Sequence, residues 1–564
     1  MFQWIVAEQI DAETIHQLIV SLGVSPVVAK ILYNRGVRRF QDAKRFFRPS
    51  WSDLYDPFLM KDMDRAVERI QRAVSAKEKI FIYGDYDVDG ITSVSLVYLF
   101  LKKLGLDVCF YIPDRLREGY GLSKIGVEQA VKFGATLLIT VDCGITGVEE
   151  VALARKQGID VIVSDHHERG KELPAAVAIL DPKRQECNYP FKELAGVGVA
   201  FKLVQAISTR LDLDERYYQE YIDLVSLGSA ADIVPLVDEN RALVKLGLDK
   251  INKLDRVGIR ALAETSGLLG KPIGTGQIVF ILAPRINAVG RLGNAERAVR
   301  LLITESETLA KSIADILESE NRNRKSIDEE TFAEAKIIVE SECSLQKDRA
   351  IVLAQQGWHS GVIGIVASRV VEQYYRPTIM IAVEGDVGKG SARSIPNFDI
   401  HTALKRCEEY LIGFGGHRYA AGLMIQVEKI PEFREAFQRV AMEMLGEQEL
   451  IQKIWIDSEI NLPEITDSFI RIVDQFAPFG PQNMRPVFLS RNLQVVGSPK
   501  VVGKNHLKFK VRQGGEVFDA IGFDLGELQY RLSPGDDRLD MVYVIEENQW
   551  NDQTKIQLRV KDLR

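Results

Sequence analysis

From about residue 77 the chain alternates apolar runs of strand length with helical segments. KIFIYGD, SVSLVYLFLKKLG, VCFYIPD, KIGVEQAVKFG, TLLITVDCG, VEEVALARKQG and DVIVSDHH follow one another with short turns between them. Strands that alternate with helices pair in parallel, because each helix carries the chain back to the starting edge of the sheet. These strands are apolar throughout, as a sheet covered on both faces requires. Such a sheet binds its ligands beyond the carboxyl ends of its strands, so the chemistry is expected there.

The rest of the chain has other textures. AETIHQLIVSLG and SPVVAKILYNRG read as short helices ended by glycine, which makes 1–50 a helical N-terminal segment. The region 51–302 reads as the α/β domain with a helical extension. No glycine or proline occurs from Glu305 to Glu342, so 303–345 is expected to be a long connecting helix. A second, smaller α/β domain follows over 346–447, and short strands with turns over 453–564 suggest a β-barrel. Several domains suit 564 residues, too many for one core. No stretch approaches the ~20 apolar residues of a membrane span. MFQWIVAEQIDAE has no basic leader, and five scattered cysteines form neither a C-x-x-C site nor a disulfide framework. A cytoplasmic protein without a membrane is expected. The net charge of −7 means that any nucleic-acid surface must be local.

The polar residues at the strand ends are acidic. Asp85, Asp87 and Asp89 follow IFIY, Asp142 follows LLITV, and Asp165-His166-His167 follow VIVS. A fourth site, LVSLGSAADIVPL, places Asp232 in apolar surroundings and is read as one more strand end. One such aspartate is ordinarily a helix cap or turn former. Four in order are carboxylates that would not stay ionised together without cations. Oxygen and imidazole donors without thiolate suit Mn²⁺ or Mg²⁺ better than structural zinc.

DYDVDG, VDCGIT, SDHH and GSAADIVPL together resemble the DHH phosphoesterase superfamily. YIPDRLREGYGLS, LAGVGVAFKL, APRINAVGRLGNA, GWHSGVIGIVASR, GSARSIPNFDI and GFGGHRYAAG occur in the order seen in its bacterial single-strand exonucleases, over about residues 50 to 560. The resemblance implies a DHH-type parallel-sheet domain, an accessory domain of DHHA1 type joined by the long helix, and an OB-like barrel. It implies two metal ions. Asp87 binds one and Asp89 the other, Asp142 bridges them, His166 and Asp232 complete the second site, and Asp85 lies on or behind the first. His167, whose side chain points away from that of its neighbour His166 on an extended chain, is expected either to support the ligands from behind or to contact phosphate.

GKGSARSIP holds Lys389, Ser391, Arg393 and Ser394 among glycines, and is read as a phosphate grip of backbone amides and a guanidinium fork. Its likeness to a P-loop is superficial, since the glycine after the lysine breaks that motif. The resemblance makes Gly415, Gly416 and His417 of GGHRYAAG a substrate-side signature, and sets Arg115, Asn287 and Arg291 along the cleft. From Arg485 to Arg512 there are seven basic residues and no acidic one. Lys504, Lys508 and Lys510 are read as a surface for a phosphate backbone, with Phe488, His506 and Phe509 interleaved to stack on bases.

The expected activity is 5′ to 3′ hydrolysis of single-stranded DNA in recombination and repair. A single-strand-binding protein and a helicase are partners by resemblance, and the protein is expected to be a monomer. Two alternatives are a DHH phosphoesterase for short oligonucleotides or cyclic dinucleotides, which needs no barrel, and a non-catalytic replication scaffold, which would lack the carboxylates.

Overall fold

The computed structural model describes residues 2–7, 11–115, 117–292, 294–535, 537–550 and 553–564. The chain opens with β1 (Gln3–Val6) and the helices Ala12–Leu22 and Pro26–Asn34. Asp11 and Ser25 cap these helices, and Gly23 ends the first in the left-handed conformation. Leu18, Val28, Ile31 and Leu32 of this segment share one core with Phe488, Val511 and Tyr543 from the other end of the chain.

The α/β domain is built on β2 (Lys79–Gly84), β3 (Asp107–Tyr111), β4 (Leu137–Val141), β5 (Asp160–Ser164) and β6 (Ala178–Leu180). All pair in parallel, in the order β3-β2-β4-β5-β6. The chain leaves β2 for one edge and returns past it to β4. The helix Val88–Lys103 covers one face and Lys124–Phe133 the other. Their divergence opens a crevice at the carboxyl ends of β2 and β4. The helices Gly196–Arg210 and Ile222–Ala231 pack on the same face as Val88–Lys103, which is buried along most of its length.

The helix Glu307–Glu342 spans 36 residues, about 54 Å at the standard rise. Ala310, Ile313 and Leu317 belong to the core of the first domain, while Ala335 and Val339 belong to that of the second. The second domain contains β7 (Ile351–Gln356), β8 (Thr378–Glu384), β9 (Val387–Arg393), β10 (Leu411–His417) and β11 (Ala420–Gln426). Their order is β10-β11-β9-β8-β7, and only β7 and β8 run parallel.

The C-terminal module starts with β12 (Lys453–Ile456), which pairs in parallel with β1, and β13 (Ser458–Glu459). It continues with β14 (Phe488–Val502), β15 (His506–Gln513), β16 (Glu516–Gly522), β17 (Leu539–Trp550) and β18 (Gln553–Leu563). The pairings β14–β15–β16–β18–β17 close through β14–β17 into a barrel, which removes the exposed edges. No single helix among the described residues is long and apolar enough to cross a membrane.

Candidate functional site

The loop after β2 is held at two of its aspartates, Asp87 and Asp89. Asp87 caps the helix Val88–Lys103, its Oδ1 accepting from the Gly90 amide at 3.1 Å. Only glycine fits at 90, because a Cβ would stand 2.4 Å from the Asp85 carbonyl oxygen. Asp89 accepts from the Gly196 and Val197 amides at 2.6 and 2.8 Å, at the start of another helix. Asp142 adopts φ 58 directly after β4, a left-handed conformation that aspartate and asparagine tolerate better than most residues. Gly196 leaves room for it, since a Cβ there would lie 2.5 Å from Asp142 Oδ1.

Three overlapping groups of ligand atoms result, each gathered within 4.8 Å: Asp85, Asp87 and Asp142; Asp89, His166 and Asp232; and, between them, Asp142, His166 and His167. Asp142 joins them, its Oδ1 lying 3.1 Å from His166 Nε2. That nitrogen is also 3.8 Å from Asp89 and 3.7 Å from Asp232. Burial, and then the neighbouring aspartates, hold Asp85, Asp142 and Asp232 well above the usual carboxylate range. The same causes push Asp89 up to about 7. Burial pushes His166 down to about 3, so its ring is neutral, as a metal ligand must be. Asp85 Oδ1, Asp142 Oδ1 and both His166 nitrogens have no hydrogen-bond partner although all are buried. A fold does not bury such a set for stability. The donors fit two hard divalent cations, Mn²⁺ or Mg²⁺.

Asp232 does not end a strand, contrary to expectation; it follows the helix Ile222–Ala231. Asp165 has a different task from the other aspartates. It accepts from the Ile145, His166 and His167 amides and from His167 Nδ1 at 2.8 Å. Burial opposes the charged form of both partners, yet their pairing outweighs it: Asp165 is held below its usual range and His167 above. Tyr120 Oη lies 2.9 Å from the same ring. Sequence reasoning missed Tyr120 and the orienting role of Asp165. The SDHH motif offered a signal for Asp165, and YIPDRLREGYGLS contains Tyr120.

A basic wall faces the acidic cluster. Arg115 lies over the Tyr86 ring at 5.1 Å, and Arg291 donates to the Gly361 carbonyl at 3.2 Å. Burial, then Arg115, Arg324 and Arg393, push Arg291 down to about 10. Arg393 is lowered by burial and then by Arg115. Arg115 and Arg291 line a cavity of about 600 Å³ together with Tyr111 and Gly290. Arg324, on the connecting helix, was not foreseen. Asn287 supports the loop, its Oδ1 accepting from the Val88 amide at 3.1 Å.

The reading of GKGSARSIP as an amide cradle is corrected. Residues 387–393 form β9, paired on both sides with β8 and β11, so the backbone amides are engaged in the sheet. What β9 offers is side chains on one face: Arg393 Nη1 donates to Ser391 Oγ at 3.1 Å, and both reach toward Gly364. Lys389 lies 3.6 Å from Glu384, and Ser394 donates to the Phe398 carbonyl. Gly415, Gly416 and His417 lie on the edge strand β10. Gly416 has φ 139 and abuts Ala420 and Ala421. Burial, and then Arg393 and His167, lower His417.

On the barrel, Lys504, Lys508 and Lys510 are exposed, but Phe509 is only 4% exposed and sits in the core with Phe488. Neither can stack on a base. Exposed aromatics of this module include Trp455, Tyr530 and Phe523, and Phe523 has the His506 ring at 5.1 Å and the Arg559 guanidinium at 5.3 Å. Neighbouring strands also supply acids to the basic run: Arg491 meets Glu459 and Asp540, and Lys510 meets Asp519.

Comparisons with known proteins agree with this division. Residues 79–229 match the DHH family N-terminal domain, 347–443 the DHHA1 domain and 456–562 the RecJ OB domain. The single-stranded-DNA-specific exonuclease RecJ of Bacillus subtilis is 40% identical over 98% of this chain and 70% of its own. That of Escherichia coli is 34% identical over 95% of this chain and 96% of its own. The crystal structure of Thermus thermophilus RecJ with Mn²⁺ superposes with a TM-score of 0.86 at 29% identity, covering 100% of this chain and 79% of that one. With these matches running through all three domains, the chain belongs to the RecJ family of the DHH superfamily.

Proposed function

We propose that the protein degrades single-stranded DNA from the 5′ end, with two divalent ions held by its acidic cluster. The observation that carries this reading is the opposition of buried, unpartnered carboxylates to a desolvated arginine wall across one cleft. Asp85, Asp87 and Asp142 would hold one ion, and Asp89, Asp142, His166 and Asp232 the other. Two such ions, when bound, activate a water and stabilise the attacking and leaving oxygens of an in-line phosphodiester displacement.

The chain's own residues do the rest. Asp165 and Tyr120 fix the His167 ring beside the cluster, where it can donate to a phosphate oxygen. Arg115, Arg291 and Arg393, with Ser391, suit a terminal phosphate, and His417 lies on the second domain. Asn287 keeps the DVDG loop in place. Lys504, Lys508 and Lys510 track phosphates further along the strand, and Phe523 with His506 offers a stacking surface. A cytoplasmic role in recombination and repair, alongside a single-strand-binding protein and a helicase, is what this reading implies. The closed barrel favours long strands over dinucleotides as substrate. The test is a digestion time course on single strands labelled at either end, on duplex and on dinucleotide, with and without Mn²⁺. Short products released first from the 5′ end of single strands, only with metal, are expected. Release first from the 3′ end, or preference for dinucleotide, contradicts the reading.

A further inference from the structure

The loop carrying Asp232 runs from the helix Ile222–Ala231 to the helix Asp238–Ile251. Its next residue, Ile233, is 67% exposed and held at φ 63, a left-handed backbone that a β-branched side chain resists. Such a conformation persists only where the surroundings over-determine it. The C-terminal module anchors the far end of this loop, three residues beyond Ile233. The Leu236 amide donates to the Pro481 carbonyl at 2.8 Å. Gly480 lies so close to the buried Leu236 side chain that a Cβ there would stand 2.5 Å from it. Further along, Arg241 is buried with no carboxylate beside it among the described residues. Its guanidinium donates instead to the carbonyls of Phe46, Phe476, Ala477 and Pro478 at 3.0, 2.9, 3.0 and 3.2 Å. Thr275 Oγ1 donates to the Phe479 carbonyl at 2.7 Å, and Asn483 Nδ2 donates to the Phe476 and Pro478 carbonyls, tying the segment to itself.

We propose that the segment Phe476–Asn483 is a brace that fixes Asp232 in its ligating position, so that the C-terminal module sets the affinity of the second ion site. The proposal rests on the reading of Asp232 as a metal ligand. Leu236, Arg241 and Gly480 are positioning residues that act through Asp232. A barrel that only bound DNA would have no need to saturate a buried guanidinium on the catalytic domain, nor to reach the loop four residues from a ligand.

The test is calorimetric titration of the metal-stripped, full-length protein with Mn²⁺. Gly480→Ala drives a Cβ into Leu236, and Arg241→Lys keeps the charge but not the planar fork that serves several carbonyls. Each should weaken one of two Mn²⁺ sites by about tenfold, as loss of a ligand's support does, and leave the other unchanged. Asp232→Ala should weaken that same site, and adding Gly480→Ala to it should cause no further loss. Activity of the brace variants on a short strand should return at saturating Mn²⁺. A lowered melting temperature with both Mn²⁺ affinities at the wild-type level would overturn the brace. Unchanged Mn²⁺ binding in Asp232→Ala would overturn the ligand assignment first, and the brace with it.

Discussion

In the cleft, Asp85, Asp89 and Asp142 are 4%, 1% and 1% exposed and crowd one another, while on the barrel Lys508, Lys510 and Arg512 stand in solvent. The cleft carboxylates are buried at the expense of stability, since each opposes the ionisation of the next. The barrel's basic side chains lose little by standing in water, and several meet an acid on a neighbouring strand. Exposed pairs of this kind contribute ~0–1 kcal/mol, so they neither hold the fold nor prevent a phosphate from exchanging in. Charge held against stability marks the chemistry, whereas charge held in solvent marks a weaker, salt-sensitive grip.

Asp142→Asn should break the contrast most severely. It keeps the left-handed backbone and removes the charge common to both groups, so hydrolysis should fall on the order of 10³-fold while strand binding survives. Turnover above a tenth of wild type at saturating Mn²⁺ would contradict two-ion chemistry. The core of the barrel sharpens the contrast from the other side. Phe509→Ala should cost ~3–5 kcal/mol of stability through the cavity it leaves, seen by chemical denaturation, and Phe523→Ala should leave stability alone but weaken strand binding by ~1–3 kcal/mol.

The sign of the pH dependence follows from the raised carboxylates. Between their ordinary range and about 7 for Asp89, the folded protein binds more protons than the unfolded chain, so stability falls as pH rises through that window. Metal-free protein should therefore melt about 5 °C lower at pH 8 than at pH 5, and Mn²⁺ should abolish the decline in scanning calorimetry. Arg393→Ala should lower activity on a 5′-phosphorylated strand by about tenfold, or ~1.4 kcal/mol, and should matter much less for a 5′-hydroxyl strand. Equal losses on both would remove the terminal-phosphate pocket. The smallest effects belong to Lys508→Ala and Lys510→Ala. Each should weaken binding a few-fold and lower the salt slope by about one, without changing turnover on a short saturating strand.

Much of the site was legible because a parallel sheet delivers successive strand ends to one edge. Asp85, Asp87, Asp89, Asp142 and His166 needed only that rule and the order of strands. Asp232 lies beyond it, since it enters from a helix whose placement depends on packing against Val88–Lys103. Phe509 was misread although the signal was present. Lys508, Phe509 and Lys510 alternate, and the period of a strand sends the phenylalanine inward when the lysines face out. The error came from reading composition where parity decided. The amides of β9 were misjudged for a related reason: glycines in GKGSARSIP suggested a loop, but Leu423 and Ile381 pack where side chains at Gly390 and Gly388 would stand. The union of β1 and the N-terminal helices with the barrel joins residues more than 400 apart, and no local pattern encodes such a pairing.

The most direct test is the number of Mn²⁺ ions bound by the full-length, metal-stripped protein, measured by calorimetry beside Asp142→Asn. Two ions on the wild type, with both sites weakened when the shared carboxylate becomes an amide, is the predicted result. A single ion on the wild type, or two bound with unchanged affinity by Asp142→Asn, would contradict a cluster built to hold a pair of metals around Asp142.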